Sequence, residues 1–350
     1  MAINLAEKYS KVIEARFTHE SFIQGNVSND YEWDGVRAIN IYTPQSVALN
    51  DYNRAASGNR YGTPTEIQDS VQRMELTQDK SFSLTVDAGN NSDQEHVKTG
   101  AKMMKMEIDE QVVPYCDEYA LGKWVNLAGT RKSEANAPTK STIVEMIFDA
   151  ATAMDNGLVP QDNRILYLPA TYYNMVRLSS EFVGVDALGE KVLTKGVVGL
   201  IADMKCVKVP DKYMADAYFL ATYKNAVLAP KKINDAKIHI DPPGINGTLL
   251  EGRYYFDAFV RAAKAMGVYA CIPAAKAVAA PTASITSHAA SITAVTGITF
   301  YYTLDGTDPR YSKSAKVYSA SVTTVAGQTF KCAGQNAVGA WGPITSVTDA

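Results

Sequence analysis

The first 90 residues show one helical pattern of apolar positions followed by two strand patterns. Near the N-terminus, five apolar residues share one side of a predicted amphipathic helix: Leu5, Tyr9, Val12, Ile13 and Phe17. Two strands are predicted further on, at 36–43 and 71–86. The polar, glycine-bearing segment 51–66 between them is far too long for a tight hairpin turn. The pattern therefore predicts an extended β-arm.

The longest helical pattern covers residues 92–127. Its apolar residues recur at steps of three and four: Val97, Ala101, Met104, Ile108, Val112, Tyr115 and Tyr119. Residues 91–93 (Asn-Ser-Asp) are candidates for the helix cap, and Pro114 is expected to kink or divide the helix. A continuous helix of this length would span roughly 54 Å, which is more than the width of a compact domain requires.

Helical and strand patterns alternate through the next part of the chain, which predicts an α/β or α+β arrangement. The predicted elements are helices at 142–154 and 171–178, a strand at 164–168, strands within 197–209 and 217–228, and a closing segment at 252–273.

The character of the sequence changes at about Pro273. The last Glu is Glu251 and the last Met is Met266, and an Ala/Pro-rich stretch leads into a Ser/Thr/Ala/Val/Gly-rich tail. The tail carries a formal charge of +2, the preceding body −5, and the whole chain −3. Short strand patterns separated by Asp-Gly, Asp-Pro and Gly turn signals predict a domain boundary and a small all-β sandwich. These patterns cover 298–304, 316–324 and 328–334.

Composition excludes some classes of protein but does not indicate a function. A length of 350 residues allows about two domains, and 34 basic against 37 acidic side chains exclude a strongly basic nucleic-acid wrapper. No apolar run approaches the ~20 residues that a membrane span needs, and the N-terminus lacks the apolar core of a signal peptide. We therefore expect a chain that is not exported by that route. The four cysteines are scattered and are interpreted as reduced thiols.

Catalytic and metal-binding patterns are missing from the sequence. There is no GxGxxG, GxxxxGK[ST], GxSxG or HExxH, and His19, His96, His239 and His288 occur in unrelated contexts. The carboxylates between 87 and 110 are interpreted as helix-terminal charges and a solvated helix face, and the LDGTDP segment at 304–309 as a turn rather than a calcium loop. Trp341 is interpreted as a packing residue, with a binding role left open. The sequence thus predicts no enzyme, no cofactor and no metal site.

Several segments, taken in order, resemble the major capsid protein of tailed double-stranded-DNA bacteriophages. The resemblance covers about residues 1–273 and rests on pattern and order rather than on a short motif. Its carriers are the N-terminal helix and arm, the long β-arm, VVPYCDEYALGKWV (112–125), GVVGLIADMKCVKVP (196–210) and GRYYFDAFVRAAKAMGVYA (252–270).

The resemblance implies an α+β fold with an N-arm, an extended β-loop, a long spine helix with a peripheral domain, and an axial domain. The implied divisions are 1–35 (N-terminal helix and arm), 36–90 (extended β-loop), 91–140 (spine helix and part of the peripheral domain), 141–251 (axial domain), 252–273 (return segment of the peripheral domain), 274–284 (linker) and 285–350 (surface domain).

The tail has a resemblance of its own, to small immunoglobulin-like modules appended to bacterial glycosidases and surface proteins. Its carriers are the segments YTLDG (302–306), Asp308-Pro309 and the late Gly339. On a capsid, such a module is expected on the outside, where it would decorate or stabilise the shell or contact glycans weakly.

The implied function is that of a structural subunit of an icosahedral head. Its implied partners are other copies of itself in pentamers and hexamers, scaffolding and portal proteins, and packaged double-stranded DNA held by weak non-specific contact. We expect synthesis in the host cytoplasm and a final place in the virion. The β-arm is implied to reach a neighbouring subunit, and the expected assembly contacts are Tyr52, Arg54, Arg60 and Tyr61.

Two other interpretations stay open at this point. An encapsulin-like nanocompartment shell protein would have the same fold, and neighbouring genes for a terminase and a portal would separate the two. A carbohydrate-binding or adhesion protein with a C-terminal β-sandwich belongs to a different class, and the missing signal peptide and cell-wall anchor count against it.

Overall fold

The chain forms two compact units in a computed structural model. The first unit contains described residues within 20–29, 76–260 and 266–276, and the second comprises 30–75, 261–265 and 277–350. The residues that the structure describes are 20–31, 38–44, 46–47, 49–55, 57–64, 66–67, 69–93, 99–179, 199–214 and 217–350. The predicted N-terminal helix, His19 and His96 lie outside them.

The described α-helices are α1 (Ala88–Asp93), α2 (Gly100–Glu107), α3 (Val113–Asn126), α4 (Ile143–Asn156) and α5 (Ala170–Arg177). The strands as far as the linker are β1 (Ala38–Pro44), β2 (Asp69–Glu75), β3 (Gln78–Asp87), β4 (Thr130–Glu134), β5 (Arg164–Pro169), β6 (Leu200–Ile201), β7 (Met204–Val209), β8 (Phe219–Tyr223), β9 (Val227–Leu228), β10 (Lys231–Ile240), β11 (Gly247–Phe256), β12 (Phe259–Val260) and β13 (Val268–Pro273). The remaining strands are β14 (Ala283–Thr286), β15 (Ala289–Ile292), β16 (Ile298–Thr303), β17 (Lys316–Val317), β18 (Val322–Thr323), β19 (Thr329–Asn336) and β20 (Trp341–Thr348).

A six-stranded mixed sheet forms the core of the first unit, in the order β4-β13-β8-β5-β7-β6. All six residues of β5 are buried, because both faces of the sheet are covered. Leu166 and Leu168 pack with apolar residues of α4 and α5, whereas Tyr167, between them, lies 6.4 Å from the ring of Trp124 in α3. The predicted helices at 142–154 and 171–178 and the predicted strand at 164–168 are confirmed as α4, α5 and β5.

A second sheet of the first unit has three antiparallel strands in the order β10-β11-β3. One face packs on the long helix through Val86, Leu250 and Met104. The other face is polar, with a two-pronged Arg253–Asp79 ion pair at 2.7 and 3.0 Å. The alternation of residues along β3 produces this division, since successive side chains point to opposite faces.

The long helix runs without a break from α2 to α3 through a π-helical turn, Ile108–Val112. Pro114 has no N–H to donate to the carbonyl four residues earlier, and a wider turn directly before it accommodates the ring. Of the two expected effects of Pro114, a kink or a division, the division is therefore wrong, and the local irregularity is the π-helical turn before the proline. The three predicted cap residues lie inside α1, and the helix ends at Asn126, one residue before the predicted end.

The predicted single strand at 71–86 is wrong in one respect, because it breaks at Leu76 and Thr77. Its two halves, β2 and β3, belong to different sheets. The Tyr255 hydroxyl donates to the Leu76 carbonyl at 3.0 Å, and the Asp257 carboxylate accepts from Thr77. Both partners are about 180 residues away in sequence, so no local pattern marks this break.

The second unit contains the arm and the C-terminal strands. In the arm, β1 and β2 form an antiparallel ribbon that runs from Ala38 opposite Glu75 to Pro44 opposite Asp69. The C-terminal strands form two antiparallel sheets, β14-β15-β18 and β17-β16-β19-β20. Side chains of β15, β16 and β19 share one core: Ala290, Ile292, Phe300, Phe330 and Cys332.

Two of the three predicted strands in the tail are confirmed as β16 and β19. The third, predicted as one strand at 316–324, is wrong, because the structure has two short strands there, β17 and β18, that join different sheets. Residues between them are exposed or half-buried and make no ladder. The chain crosses between the two sheets here, because it leaves the four-stranded sheet after β17 and joins the three-stranded sheet at β18.

Candidate assembly surfaces

The tip of the arm is a folded loop with its own hydrogen bonds. The Asn53 N–H donates to the Arg60 carbonyl at 3.0 Å, and the Gly62 N–H donates to the Asn59 carbonyl at 3.1 Å. Asn59 and Gly62 have φ angles of 49° and 86°. A Cβ on Gly62 would also approach the Asn50 amide nitrogen to 2.8 Å, so this turn depends on glycine.

All four predicted contact residues lie on this loop and are exposed. The structure brings two of them together, since the rings of Tyr52 and Tyr61 meet edge to face with centroids 5.1 Å apart. Tyr52 is 49% exposed and Tyr61 83%. Arg54 and Arg60 lie between these two tyrosines in sequence. Tyrosine and arginine are the side chains that protein interfaces favour, because they combine a large apolar area with polar tips.

Apolar exposure extends along the whole arm. Large apolar side chains that stand in solvent here are Tyr42, Val47, Leu49, Tyr52, Tyr61 and Ile67. A single exposed apolar residue is ordinary, but a series of them on one element is typical of an interaction surface. The arm therefore presents more apolar area than a monomer has reason to leave in water.

A buried carboxylate holds the chain at the point where β2 gives way to β3. Asp257 is 2% exposed and accepts four hydrogen bonds. Two come from the backbone and hydroxyl of Thr77 (2.9 and 2.8 Å), one from the Tyr119 hydroxyl (2.8 Å) and one from the Ala258 N–H (2.7 Å). Asp257 therefore ties the start of β3 to the long helix and to the end of β11. Burial raises the pKa of Tyr119, so its phenol stays a hydrogen donor.

A second buried carboxylate, Asp117 in α3, anchors the described residues nearest the N-terminus. It accepts from the Ser21 hydroxyl and from the Phe22 N–H, both at 2.7 Å. Burial raises the pKa of Asp117, and these two hydrogen bonds oppose the rise. Further along, the Lys205 ammonium donates to the Asn26 amide oxygen at 3.3 Å. Residues 21–26 are thus fixed by polar contacts to the first unit.

An apolar recess of about 280 Å³ lies in the first unit, between the long helix and the three-stranded sheet. Phe82, Tyr115, Tyr254 and Phe256 supply most of its aromatic wall, and Cys116 lies at the helix side. Burial raises the pKa of the Cys116 thiol to about 11, so this sulfur is protonated at neutral pH and unreactive as a nucleophile.

Two groups that were considered as calcium-binding or ligand-binding candidates in the sequence, Asp305 and Trp341, make contacts within the fold. Asp305 accepts hydrogen bonds from Thr307 and Ser314, which lower its pKa against the effect of burial. Trp341 is 7% exposed and meets the ring of Tyr301 edge to face, 5.1 Å between centroids. Within the described ranges, no group of three or more His, Cys, Asp or Glu side chains could hold a metal ion. Across the same residues, no helix is long and apolar enough to cross a membrane.

The fold is that of phage capsid structures. A structure described as Mycobacterium phage Che8 is similar with a TM-score of 0.63 at 17% identity, covering 76% of this chain and 96% of that one. The capsid of the cyanophage P-SCSP1u matches with a TM-score of 0.61 at 13% identity, covering 77% and 93%. The head of Helicobacter pylori bacteriophage KHP40 matches at 0.55 and 11% identity, covering 77% and 95%. No protein-family model and no curated protein sequence matches the chain.

The sequence predicted the loop between β1 and β2, and its four assembly contacts stay a prediction, whereas the two carboxylate anchors were not predicted. Asp117 sits in a helical pattern where an acidic residue looks like part of a solvated face, and Asp257 follows an aromatic run. The signal that could have found Asp117 is its place among apolar positions of the long helix, beside Cys116 and one turn before Leu121.

Proposed function

We propose that this chain is the major capsid subunit of a tailed bacteriophage and that it self-assembles into the icosahedral head around double-stranded DNA. The observation that carries the proposal is the agreement of fold with capsid and head structures over 76–77% of this chain and 93–96% of theirs. The role is structural rather than enzymatic, which agrees with the protonated thiols and the internally bonded carboxylates.

The exposed arm supports the same proposal on physical grounds. A thin shell needs subunits that share area with several neighbours, and a projecting arm supplies contact area that a compact monomer lacks. We infer that Tyr52, Arg54, Arg60 and Tyr61 contact a neighbouring subunit, and that the divisions drawn from the sequence describe the parts of the shell subunit.

The further partners follow from the same role. We infer a scaffolding protein and a portal protein as assembly partners, and weak non-specific contact with packaged DNA. A formal charge of −5 on the body supports weak contact, because tight wrapping of DNA needs a strongly basic surface. The subunit would be made in the host cytoplasm and end in the virion.

We also propose that the C-terminal part is an immunoglobulin-like module on the outer surface of the shell. Seven strands in antiparallel sheets of three and four around one core support this assignment. About a quarter of the chain is unmatched in the capsid comparisons, which is the proportion expected of an appended module. Trp341 is buried, so any weak glycan contact would use other residues.

The encapsulin-like alternative keeps the fold and changes the cargo, and no residue described here favours it. The adhesion alternative is disfavoured by the capsid fold of the larger part of the chain. Genes for a terminase and a portal beside this one would separate a phage head from a nanocompartment.

Negative-stain microscopy of the concentrated, purified protein tests the proposal. We expect closed shells or rings of five and six subunits, with the scaffolding protein co-expressed where the chain alone gives only rings. A monodisperse monomer under all of these conditions contradicts the proposal.

Truncation after Lys276 is expected to leave a chain that still forms particles. The C-terminal strands have a core of their own and form sheets only with one another in the described residues. They belong to the same compact unit as the arm, with a hydrogen bond from the Lys313 N–H to the Val71 carbonyl at 3.4 Å, so the arm is expected to keep its β1–β2 ribbon without them. Particle formation is measured by sedimentation and microscopy beside the full chain. A truncated chain that is folded, as shown by a cooperative unfolding transition, but forms no particles would show that the module belongs to the lattice.

A further inference from the structure

Strand β10 is a long, exposed edge of the three-stranded sheet. Nine of its ten residues pair with β11 on one side, and no other described strand pairs with the opposite side. All of its residues except Ile233 and His239 are exposed. An edge of this kind offers a row of backbone donors and acceptors to another strand.

The apolar face of the sheet continues onto β10 beyond the cover of the long helix. Leu250 in β11 is fully buried beneath α2, whereas its β10 partner Ile238 is 45% exposed and Ile240 is 79% exposed. A strand paired along the outer edge would remove part of these side chains from water. The edge thus lacks both a strand partner and part of its apolar cover in the described chain.

Charges along β10 are self-complementary in one antiparallel register. When Ala236 faces Ala236 of a second copy, Asp235 faces Lys237 and Lys237 faces Asp235. A shift of the partner by one residue in either direction loses both pairs. A shift by two residues sets either Asp235 against Asp235 or Lys237 against Lys237. Both of these registers are disfavoured, because like charges would lie directly opposite each other.

Lysines on an edge strand normally prevent pairing, because they would be brought against another strand without a counter-charge. Here Lys237 already lies 3.1 Å from the Asp235 carboxylate on the same face. In the self-complementary register, Asp235 and Lys237 of each copy also form ion pairs with Lys237 and Asp235 of the other copy. The register irregularity at Lys231 and Ile233 ends the regular part of the strand and sets a limit to the paired length.

We propose that β10 pairs antiparallel with β10 of a second copy, centred on Ala236, and joins two three-stranded sheets into one of six strands. The two-fold axis of such a pair is perpendicular to the sheet, so both long helices lie on the same side. A closed shell has this requirement, since the same face of each subunit must point outward. The inference rests on the proposed function and names one of its contacts.

Disulfide trapping tests the contact in the full chain. In an antiparallel pair, opposed Cα atoms lie about 4.5–5.5 Å apart, which a disulfide can bridge. We expect Ala236→Cys particles to give covalent dimers on a non-reducing gel after mild oxidation. The controls are Ser83→Cys on the opposite edge of the sheet and the unsubstituted chain, whose cysteines are buried or half-buried; both are expected to stay monomeric on the gel.

A mixture tests the register separately. Asn234 is opposite Ile238 in the proposed register, so Asn234→Cys and Ile238→Cys chains are expected to crosslink when co-assembled and not when assembled alone.

Charge reversal gives a second test of the register, with particle yield as the measurement. Asp235→Lys is expected to reduce particle yield at least tenfold, and Asp235→Lys/Lys237→Asp to restore it, because the double variant again faces opposite charges.

The outcomes separate this inference from the proposed function. Particles whose Ala236→Cys chains do not crosslink would overturn the β10 contact and leave the capsid role standing. Crosslinking of Ser83→Cys at the same rate would also overturn it, because trapping would then be random. Failure of the unsubstituted chain to form particles, with or without a scaffolding protein, would overturn the proposed function itself.

Discussion

Removal of residues 52–64 is expected to leave a folded, soluble chain that cannot close into shells. The deleted segment makes its described hydrogen bonds and ring contacts within the arm, as in the Asn53–Arg60 bond and the Tyr52–Tyr61 pair. Its loss therefore costs the monomer little, while the lattice loses the exposed aromatic and guanidinium groups that we assign to contacts between subunits. We expect no closed particles in microscopy and an unchanged circular dichroism spectrum.

A matched pair of point variants separates this effect from a general loss of apolar surface. Tyr52→Ser/Tyr61→Ser keeps the length of the loop and is expected to lower particle yield at least tenfold. Val317→Ser/Val325→Ser removes two exposed apolar side chains of the C-terminal part, one in β17 and one in the loop after β18, and is expected to leave the yield unchanged. Normal shells from the 52–64 deletion would show that the loop is not an arm between subunits.

Replacement of Asp257 by alanine is expected to lower the free energy of unfolding by about 3 kcal/mol or more. The substitution leaves donors of Thr77, Tyr119 and Ala258 without their acceptor in a site that is 2% exposed. The loss is measured by urea unfolding of dissociated subunits. We expect the base of β3 to become more accessible to protease, since Thr77 loses the carboxylate that accepts from its backbone N–H and its hydroxyl.

The control for this variant is Asp79→Ala, which removes an exposed ion pair with Arg253 in the same sheet. Exposed pairs contribute little to stability, so its unfolding midpoint is expected to stay near that of the unsubstituted chain. Equal unfolding curves for Asp257→Ala and the unsubstituted chain would contradict the role assigned to Asp257.

Local sequence patterns correctly predicted the elements whose buried residues recur at the spacing of a helix or a strand. Helix α4 follows the spacing of Ile143, Ile147 and Met154, and β5 is a short apolar run that ends at Pro169. Amphipathic spacing is a direct consequence of one face meeting a core, so these elements can be recognised without knowing what they pack against. The arm was predicted from the absence of such spacing, since segment 51–66 shows neither a helical nor a strand pattern between two predicted strands.

Other features depend on partners that are distant in sequence. Strand β10 escaped prediction because its charged residues and its wide exposure conceal the alternation that a half-buried strand shows. The break after Glu75 is decided by Tyr255 and Asp257, and β17 and β18 are separated by the requirements of two sheets. In each case tertiary contacts override local propensity, as is common for strands.

The order of strands β10-β11-β3 also has a consequence for how the chain is made. Strand β3 leaves the ribosome about 160 residues before β11, its only strand partner in the described sheet. At roughly 5–20 residues per second, β3 waits on the order of 10–30 s before it can pair. Its serines and threonine, Ser81, Ser83 and Thr85, keep one face polar during that time. A polar face lowers the tendency of an unpaired strand to join a strand of another chain, so these residues reduce that risk while β3 waits for β11.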